Sequence, residues 1–455
     1  MFVGREAEGA KLRDFFALPG RACMVYGKRK VGKTTLIREA LKTCGRCWVY
    51  YECIRGSLRD NLDGFVRELV RTGILPVFLS FEDFGDAFAY LNTLPFEIVA
   101  VIDEYPYLKS LANAQTVDSL FQSVIDNRLK NVSLILSGSH IGMMKDMLAE
   151  GNALYGRFHT VIRLSELLWR DCAAFYPDKS AYDRLAFFSV FGGSPYVNEL
   201  LDPARDLREN ICATILNTDS PMFLYASHLL MSDLTASMQT QRIFACLGNG
   251  AKRYREIEDQ LGGQKTGNLN KQLKPLIEME LLRRSTPINH PSDDKKALYE
   301  LSDNLMRFYF TFVYKQKSAL EMLGPDAFYE EYVAPALTAF ISRRFEEICR
   351  DYFSYLARAG KLPGVRNIGR YYFDDPAAKT NGEYDVALDR GDRVEIWEAK
   401  YLRSPMDLTA QHHEAGQIRA IRGLAVAGIG FISATGFAQK EDGFGYIDGD
   451  MLYAD

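Results

Sequence analysis

Gly27-Lys28-Arg29-Lys30-Val31-Gly32-Lys33-Thr34 matches G-x-x-x-x-G-K-[ST] at every fixed position. Ahead of it, the apolar run Ala22-Cys23-Met24-Val25-Tyr26 predicts a buried strand. Behind it, Thr35-Leu36-Ile37-Arg38-Glu39-Ala40-Leu41 predicts a helix. Strand, glycine loop and helix form the setting this motif needs, and the fixed positions would coincide by chance only about 0.02 times, with Gly at roughly 7% of residues. The glycines let the backbone wrap a phosphate chain, and successive N–H groups make an anion nest. The helix starting near Lys33 adds its positive end. Residues Gly27, Lys28, Arg29, Lys30, Val31, Gly32, Lys33, Thr34 and Thr35 are therefore expected to bind a nucleotide. Lys33 reaches the β- and γ-phosphates, and the Thr34 hydroxyl is offered to Mg²⁺.

The chain has 455 residues, enough for about three or four domains. It is 47% hydrophobic and 25% charged, the balance of a globular protein. A formal net charge of −4 excludes a globally basic nucleic-acid binder, so any such contact needs a local patch. No apolar run approaches the roughly twenty residues of a transmembrane helix, so no membrane partner is expected. The opening Phe2-Val3-Gly4-Arg5-Glu6 does not read as a signal peptide, and a cytoplasmic location is expected. Eight cysteines in a chain of this size suggest free thiols in a reducing compartment. Cys44-Gly45-Arg46-Cys47, with Cys53 nearby, has metal or redox spacing, but no second CxxC or His pair accompanies it.

Downstream, Ile98-Val99-Ala100-Val101-Ile102 runs into Asp103-Glu104, a Walker B pattern on a strand apolar enough for the centre of a parallel sheet. Asp103 is expected at the carboxyl end of that strand, holding Mg²⁺, with Glu104 as general base for the attacking water. A further strand, Val132-Ser133-Leu134-Ile135-Leu136, ends in Ser137-Gly138-Ser139-His140. That end is either a polar sensor of the γ-phosphate or a plain turn. Arg157, in Tyr155-Gly156-Arg157-Phe158, is either an arginine finger acting in cis or in trans, or a solvated side chain.

Phe-Val-Gly-Arg-Glu, the phosphate loop, Ile-Asp-Glu, Leu-Ser-Gly-Ser, Gly-Arg and Phe191-Gly192-Gly193-Ser194-Pro195-Tyr196 follow one another in that order. In this the chain resembles the archaeal-type ATPase family, which belongs with AAA+-like and STAND NTPases, over roughly residues 1–320. The resemblance implies ATP as the nucleotide. It also makes Gly4, Arg5 and Pro195 neighbours of the pocket, although a turn explains Pro195 nearly as well.

After Ile162-Arg163-Leu164 the pattern turns helical, as in Leu185-Ala186-Phe187-Phe188 and Ile211-Cys212-Ala213-Thr214-Ile215-Leu216, and resembles a helical lid. From about 235 to 315, three helical segments precede Leu281-Leu282-Arg283-Arg284-Ser285 and Lys296-Ala297-Leu298-Tyr299-Glu300-Leu301, which pair as a hairpin. This resembles a winged helix. Asn268, Asn270, Lys271, Gln272 and Lys274 on its third helix either meet DNA in a major groove or lie on a module that packs against the ATPase.

In the last quarter, Leu337, Phe340, Ile341, Phe345, Ile348, Cys349, Tyr352, Phe353 and Leu356 recur at helical spacing, with Glu346 beside them. A strand is expected near Ile368–Phe373, then a hairpin of Glu383–Leu388 and Val394–Lys400. Glu398 and Lys400, two apart on a strand, share a face. Helix Glu, strand Asp and Glu-x-Lys in order resemble the PD-(D/E)xK nucleases over roughly residues 335–455. By that resemblance Glu346, Asp385 and Glu398 hold Mg²⁺ or Mn²⁺ and Lys400 is catalytic. Of Gln411 and Gln417 on the next helix, Gln417 is taken as the glutamine often found there in that superfamily. The other reading is a surface hairpin with an ordinary Glu398–Lys400 ion pair.

The expected architecture is α/β: a P-loop NTPase parallel sheet (1–165), a helical lid (166–232), a winged helix (233–318) and a C-terminal restriction-endonuclease-like domain (335–455). The expected function is an ATP-binding and ATP-hydrolysing switch coupled to a metal-dependent nuclease-like domain acting on DNA, with a second copy or another protein as further partner. Two rivals are an ATP-dependent scaffold with a silent C-terminal domain and a DNA-stimulated ATPase that does not cut.

Overall fold

Strands with apolar residues on both faces must be covered on both sides, and the computed structural model builds the N-terminal part of the chain in this way. It describes residues 1–109, 114–229, 238–262, 268–375, 380–421 and 423–454. Strands β1 (Ala22–Tyr26), β2 (Cys47–Glu52), β3 (Ile98–Asp103), β4 (Val132–Gly138) and β5 (Thr160–Arg163) form a parallel sheet in the order β2-β3-β4-β1-β5. Every residue of β1, β3 and β4 is buried. Alternation splits β1 between two cores: Cys23 and Val25 meet α1 (Glu6–Phe16) and α2 (Lys33–Leu41) on one face. Met24 and Tyr26 meet α3 (Leu58–Arg71), α4 (Phe84–Leu91) and α5 (Ala114–Asn127) on the other. Helix α3 is fixed at its start by a capping box, Asp60 N–H donating to Ser57 Oγ at 3.1 Å and Ser57 N–H to Asp60 Oδ2 at 3.0 Å. Helix α6 (Ile141–Asp146) follows β4, capped by His140 Nδ1.

The contacts divide the chain into two compact units: Met1–Leu167 with Ser194–Tyr196, and Leu168–Gly193 with Val197–Asp455. In the second, α7 (Trp169–Cys172) and α8 (Ala181–Phe191) come first. Then α9 (Pro195–Glu199) begins in the first unit and ends in the second, followed by α10 (Leu207–Ala213) and α11 (Pro221–Leu229). Helix α10 stops before the expected Leu216, because Leu216 N–H bonds to Ile211 O at 3.0 Å, outside α-helical register. The expected boundary at 232/233 lies outside the described residues.

Next come α12 (Met238–Leu247), β6 (Lys252–Arg253), α13 (Tyr254–Gln260), α14 (Asn268–Glu278), β7 (Leu282–Ser285) and β8 (Leu298–Leu301). The three strands pair antiparallel in the order β6-β8-β7. Helix α15 (Asn304–Phe308) and a π-turn lead to α16 (Lys317–Phe328), which kinks at Gly324. A second π-turn opens into α17 (Ala334–Arg358), whose Leu337, Phe340, Ile341, Phe345, Ile348, Cys349, Tyr352 and Phe353 are buried.

That stripe packs on a mixed sheet of β9 (Asn367–Asp375), β10 (Thr380–Asp389), β11 (Val394–Lys400), β12 (Val426–Ser433) and β13 (Phe444–Asp448), with α18 (Leu408–Arg419) between β11 and β12. Its order is β13-β12-β11-β10-β9, antiparallel from β9 to β11 and parallel from β11 to β13. The segment expected as a lid shares this core: Tyr182 on α8 stacks on Tyr401 at 4.3 Å, and the Trp169 indole donates to Leu452 O at 3.2 Å.

Candidate nucleotide site and a second acidic site

Gly27 leaves β1 where a Cβ would lie 2.1 Å from Leu164 O, so only glycine passes there. Gly32, at φ 93°, turns the chain into α2. Between them the loop is held from several sides within the first unit. Arg5 donates to Val31 O at 3.1 Å and to Ser165 O at 2.7 Å. Ser194 Oγ donates to Lys30 O at 3.1 Å, the Lys30 ammonium lies 4.2 Å from the centre of the Tyr196 ring, and the Pro195 ring lies 3.7 Å from where a Gly32 Cβ would be. The opening segment and the Gly-Gly-Ser-Pro-Tyr segment thus both meet the phosphate loop.

Lys33 is buried, and its Nζ donates to Gly27 O at 3.0 Å and Lys28 O at 2.9 Å. Burial lowers its pKa against the opposing pull of Glu104 and Asp103. Thr34 Oγ1 donates to Asp103 Oδ2 at 3.1 Å, so the two expected Mg²⁺ ligands adjoin. That hydroxyl and carboxylate are the hard oxygen donors Mg²⁺ takes. Tyr50 on β2 also donates to Asp103 Oδ2, a partner the sequence reading did not single out. Glu104 sits at φ 50°, and its own N–H donates to Asp103 Oδ1 at 2.9 Å. Its Oε2 accepts from Ser139 Oγ at 2.8 Å and Ser139 N–H at 3.2 Å. The polar end of β4 therefore grips the carboxylate expected to act as base. Lys28 pairs with Glu166 at 3.4 Å, and Arg29 donates to the Tyr107 hydroxyl at 3.0 Å. Arg157 pairs with Asp126 of α5 at 3.0 Å. Cys44 and Cys47 are free thiols.

In the second unit, β10 pairs with β11 as far as Val386↔Trp397, which leaves Asp385 and Glu398 each one residue beyond the last pair. Glu346 of α17 hydrogen-bonds Asp385; burial first, and then the Asp385 carboxylate, push the Glu346 carboxyl up to about 8. Lys400 lies between Glu398 at 2.8 Å and Glu414 of α18 at 2.9 Å. Burial works to lower the Lys400 ammonium, and the two carboxylates outweigh it and raise it. Burial also raises Glu398 despite that ammonium. Gln411 is buried and bonded to Met406 O, Gln439 O and the Tyr446 hydroxyl, whereas Gln417 is exposed beside His413.

The expected metal set does not close. Glu346 meets Asp385, and Glu398 meets Lys400, but among the described residues no group of three or more His, Cys, Asp or Glu side chains is arranged to hold a metal ion. A cation of the protein's own stands at Asp385 instead: Arg370 of β9, with Nε 3.6 Å from Asp385 Oδ1 and 3.9 Å from Glu383 Oε1. Arg370 and Glu414 were not evident from the sequence, because what brings them here is cross-strand register and helix docking.

Residues 2–197 match the family model of an ATPase domain predominantly from Archaea, and residues 309–415 match one of archaeal and bacterial proteins of unknown function. The chain is 29% identical over 378 residues to the uncharacterized protein MJECL04 of Methanocaldococcus jannaschii, covering 82% of each. Its fold is similar to that of the Walker-type ATPase PABY2304 of Pyrococcus abyssi, with a TM-score of 0.51 at 17% identity over 68% of this chain and 96% of that one. The Aeropyrum pernix ORC2 protein, solved as ADPNP-ADP complexes, gives a TM-score of 0.45 at 13% identity over 70% of this chain and 94% of that one. The match over residues 2–197 supports ATP binding and hydrolysis by that part of the chain. Among the described residues no helix is long and apolar enough to cross a membrane.

Proposed function

We propose that this chain is an ATP-driven switch whose C-terminal module is nuclease-like and acts on DNA. The observation that carries the switch is the grip of Ser139 on Glu104 beside the Lys33, Thr34 and Asp103 set. Lys33 neutralises phosphate charge, Thr34 and Asp103 hold Mg²⁺, and Glu104 takes the proton of the attacking water. Ser194–Tyr196 touch the loop within the first unit and continue covalently into α8 and α9, which gives the nucleotide a route to the rest of the chain. Arg157 acts outside this set unless it leaves Asp126.

Within the second unit we read a helical segment at 166–232, a winged helix at 233–318 and a PD-(D/E)xK-like domain at 335–455. The three helices with the β6-β8-β7 sheet support the winged helix. The element order α17-β9-β10-β11-α18-β12-β13, with Asp385 and Glu398 each one residue beyond the last β10–β11 pair and Lys400 on the Glu398 face, supports the nuclease-like domain. The position of Arg370 favours a second reading, in which this domain is silent in the conformation described and the chain serves as an ATP-dependent scaffold.

Cleavage of labelled single- and double-stranded DNA with Mg²⁺ or Mn²⁺, with and without ATP, separates these readings. Cleavage lost in Asp385→Ala supports the nuclease, and none under any condition supports the scaffold. ATP turnover that rises with DNA and survives Lys400→Ala supports a DNA-stimulated ATPase that does not cut. Lys33→Ala is expected to abolish ATP binding, and unchanged affinity would overturn the loop assignment.

A further inference from the structure

Tyr50 brings a hydroxyl to Asp103 from a strand that carries no motif of its own. Parallel pairing sets Tyr50 beside Val101 and Glu52 beside Asp103. Side chains alternate along a strand, so Val99, Val101 and Asp103 of β3 share a face. Tyr50 is buried on that face, in one core with Val99, Val101 and the Leu36 and Ile37 side chains of α2. From two residues short of Asp103 along the sheet, its hydroxyl reaches up and donates to Asp103 Oδ2. The Arg38 guanidinium of α2 lies over the same ring, 4.6 Å from its centre. Helix α2, β2 and β3 thus meet at this side chain.

The other bonds to Asp103 give that hydroxyl its meaning. Oδ2 also accepts from Thr34 Oγ1 at 3.1 Å, and Oδ1 accepts from Glu104 N–H at 2.9 Å. Each carboxylate oxygen has about two lone-pair sites. Thr34 and Tyr50 fill both at Oδ2, whereas Oδ1 keeps one beside the Glu104 N–H. The Thr34 proton points to Asp103, so the lone pairs of the Thr34 oxygen stay open as well. Phenylalanine would fill nearly the same core volume, so packing does not account for the hydroxyl.

We propose that Tyr50 is a positioning residue of the Mg²⁺ site: by filling Oδ2 it fixes the turn of the Asp103 carboxylate and leaves Oδ1 and the Thr34 oxygen for the ion. The inference rests on the ATP-binding reading of residues 2–197. A carboxylate that loses an orienting donor is free to rotate, and loss of such an outer partner typically costs about 10- to 100-fold in metal affinity. Lys33 and the loop N–H groups hold the phosphates themselves, so the hydroxyl acts on the ion and not on the nucleotide alone.

The test measures the dissociation constant of a fluorescent ATP analogue on the full chain, once in EDTA and once in Mg²⁺. The ratio of the two is the Mg²⁺ gain, which a merely structural hydroxyl would not move. Tyr50→Phe keeps the ring that Arg38 covers. It should bind the analogue like wild type in EDTA and lose about tenfold of the gain. Mn²⁺ titrated into the nucleotide-bound chain, followed by electron paramagnetic resonance, should show the same loss in ion affinity. In an Asp103→Ala background Tyr50→Phe should change the gain no further, because the hydroxyl acts through that carboxylate. An unchanged gain in Tyr50→Phe, or an equal loss in both backgrounds, overturns the positioning role and leaves the ATP-binding reading standing. Loss of binding in EDTA as well places the hydroxyl in the fold and likewise overturns that role. A wild type that binds the analogue in neither condition overturns both.

Discussion

Ser139→Ala removes the shorter of the two hydrogen bonds that hold Glu104, the 2.8 Å hydroxyl contact, and leaves the 3.2 Å backbone N–H in place. A hydrogen bond to a charged group is worth about 1.5–3 kcal/mol, and the remaining N–H retains part of the orientation. If Ser139 aims the base, the aligned state of Glu104 should lose about 1.5–2 kcal/mol, a fall in kcat of roughly 10- to 30-fold. ATP affinity should hold, because Lys33, Thr34 and Asp103 are untouched by the change. Steady-state phosphate release gives kcat, and a fluorescent nucleotide titration gives Kd. Glu104→Gln should bind ATP and turn over roughly 10²- to 10⁴-fold more slowly. The double variant is the sharper measurement: residues acting as one unit are not additive, so it should be no slower than Glu104→Gln alone. Full additivity, or an unchanged kcat in Ser139→Ala, would refute the reasoning and return the end of β4 to a plain turn.

Gly27→Ala forces a methyl to within 2.1 Å of the backbone O of Leu164, a residue whose N–H is bonded to Tyr26 O at 2.7 Å, and should lower stability in urea by about 1–3 kcal/mol while weakening ATP binding. Arg157→Ala breaks a half-exposed pair with Asp126 and should cost under about 1 kcal/mol, with ATP turnover unchanged. A loss near 10³-fold would restore Arg157 as a finger. Glu347→Gln leaves Arg283, Arg307 and Arg344 with Glu300 and Asp351 as the remaining carboxylates and should destabilise the second unit by about 3–5 kcal/mol in urea unfolding.

What the sequence disclosed, and what it did not, follows from the range of each interaction. The phosphate loop is contiguous, so strand, turn and helix could be read residue by residue, and α2 begins at Lys33 as expected. Asp103 was legible because a strand buried on both faces announces itself as an unbroken apolar run. Strand β2 was not evident: its Cys47 and Trp48 are exposed, the apolar run is short, and Tyr50 gains meaning only once parallel pairing sets β2 beside β3. Ser139 stayed open between sensor and turn, since its partner Glu104 lies 35 residues away in sequence. In the last quarter, alternation gave Glu398 and Lys400 a common face, and helical period gave the buried stripe of α17. Arg370 was hidden because a bulge, which no periodicity encodes, decides what it faces.

The buried charge network around Glu347 bears on the same residue. Burial alone would raise the Glu347 carboxyl; Arg344, Arg307 and Arg283 overcome it and hold it well below the ordinary range. Glu300 joins through Arg283 at 2.8 Å and Arg307 at 3.4 Å, tying β7, β8 and α15 to α17. Buried ion networks are weak sources of stability, and a well-packed apolar cluster would fasten α17 to that sheet at least as firmly. Fastening alone therefore does not explain five guanidiniums, those of Arg283, Arg307, Arg344, Arg350 and Arg370, in one electrostatic neighbourhood. An apolar cluster would leave Arg370 with carboxylates on the Asp385 side only. The network instead seats Arg283 and Arg307 on Glu300, whose Oε2 also lies 4.0 Å from Arg370 Nη2, so it runs unbroken from α17 through β8 to β9.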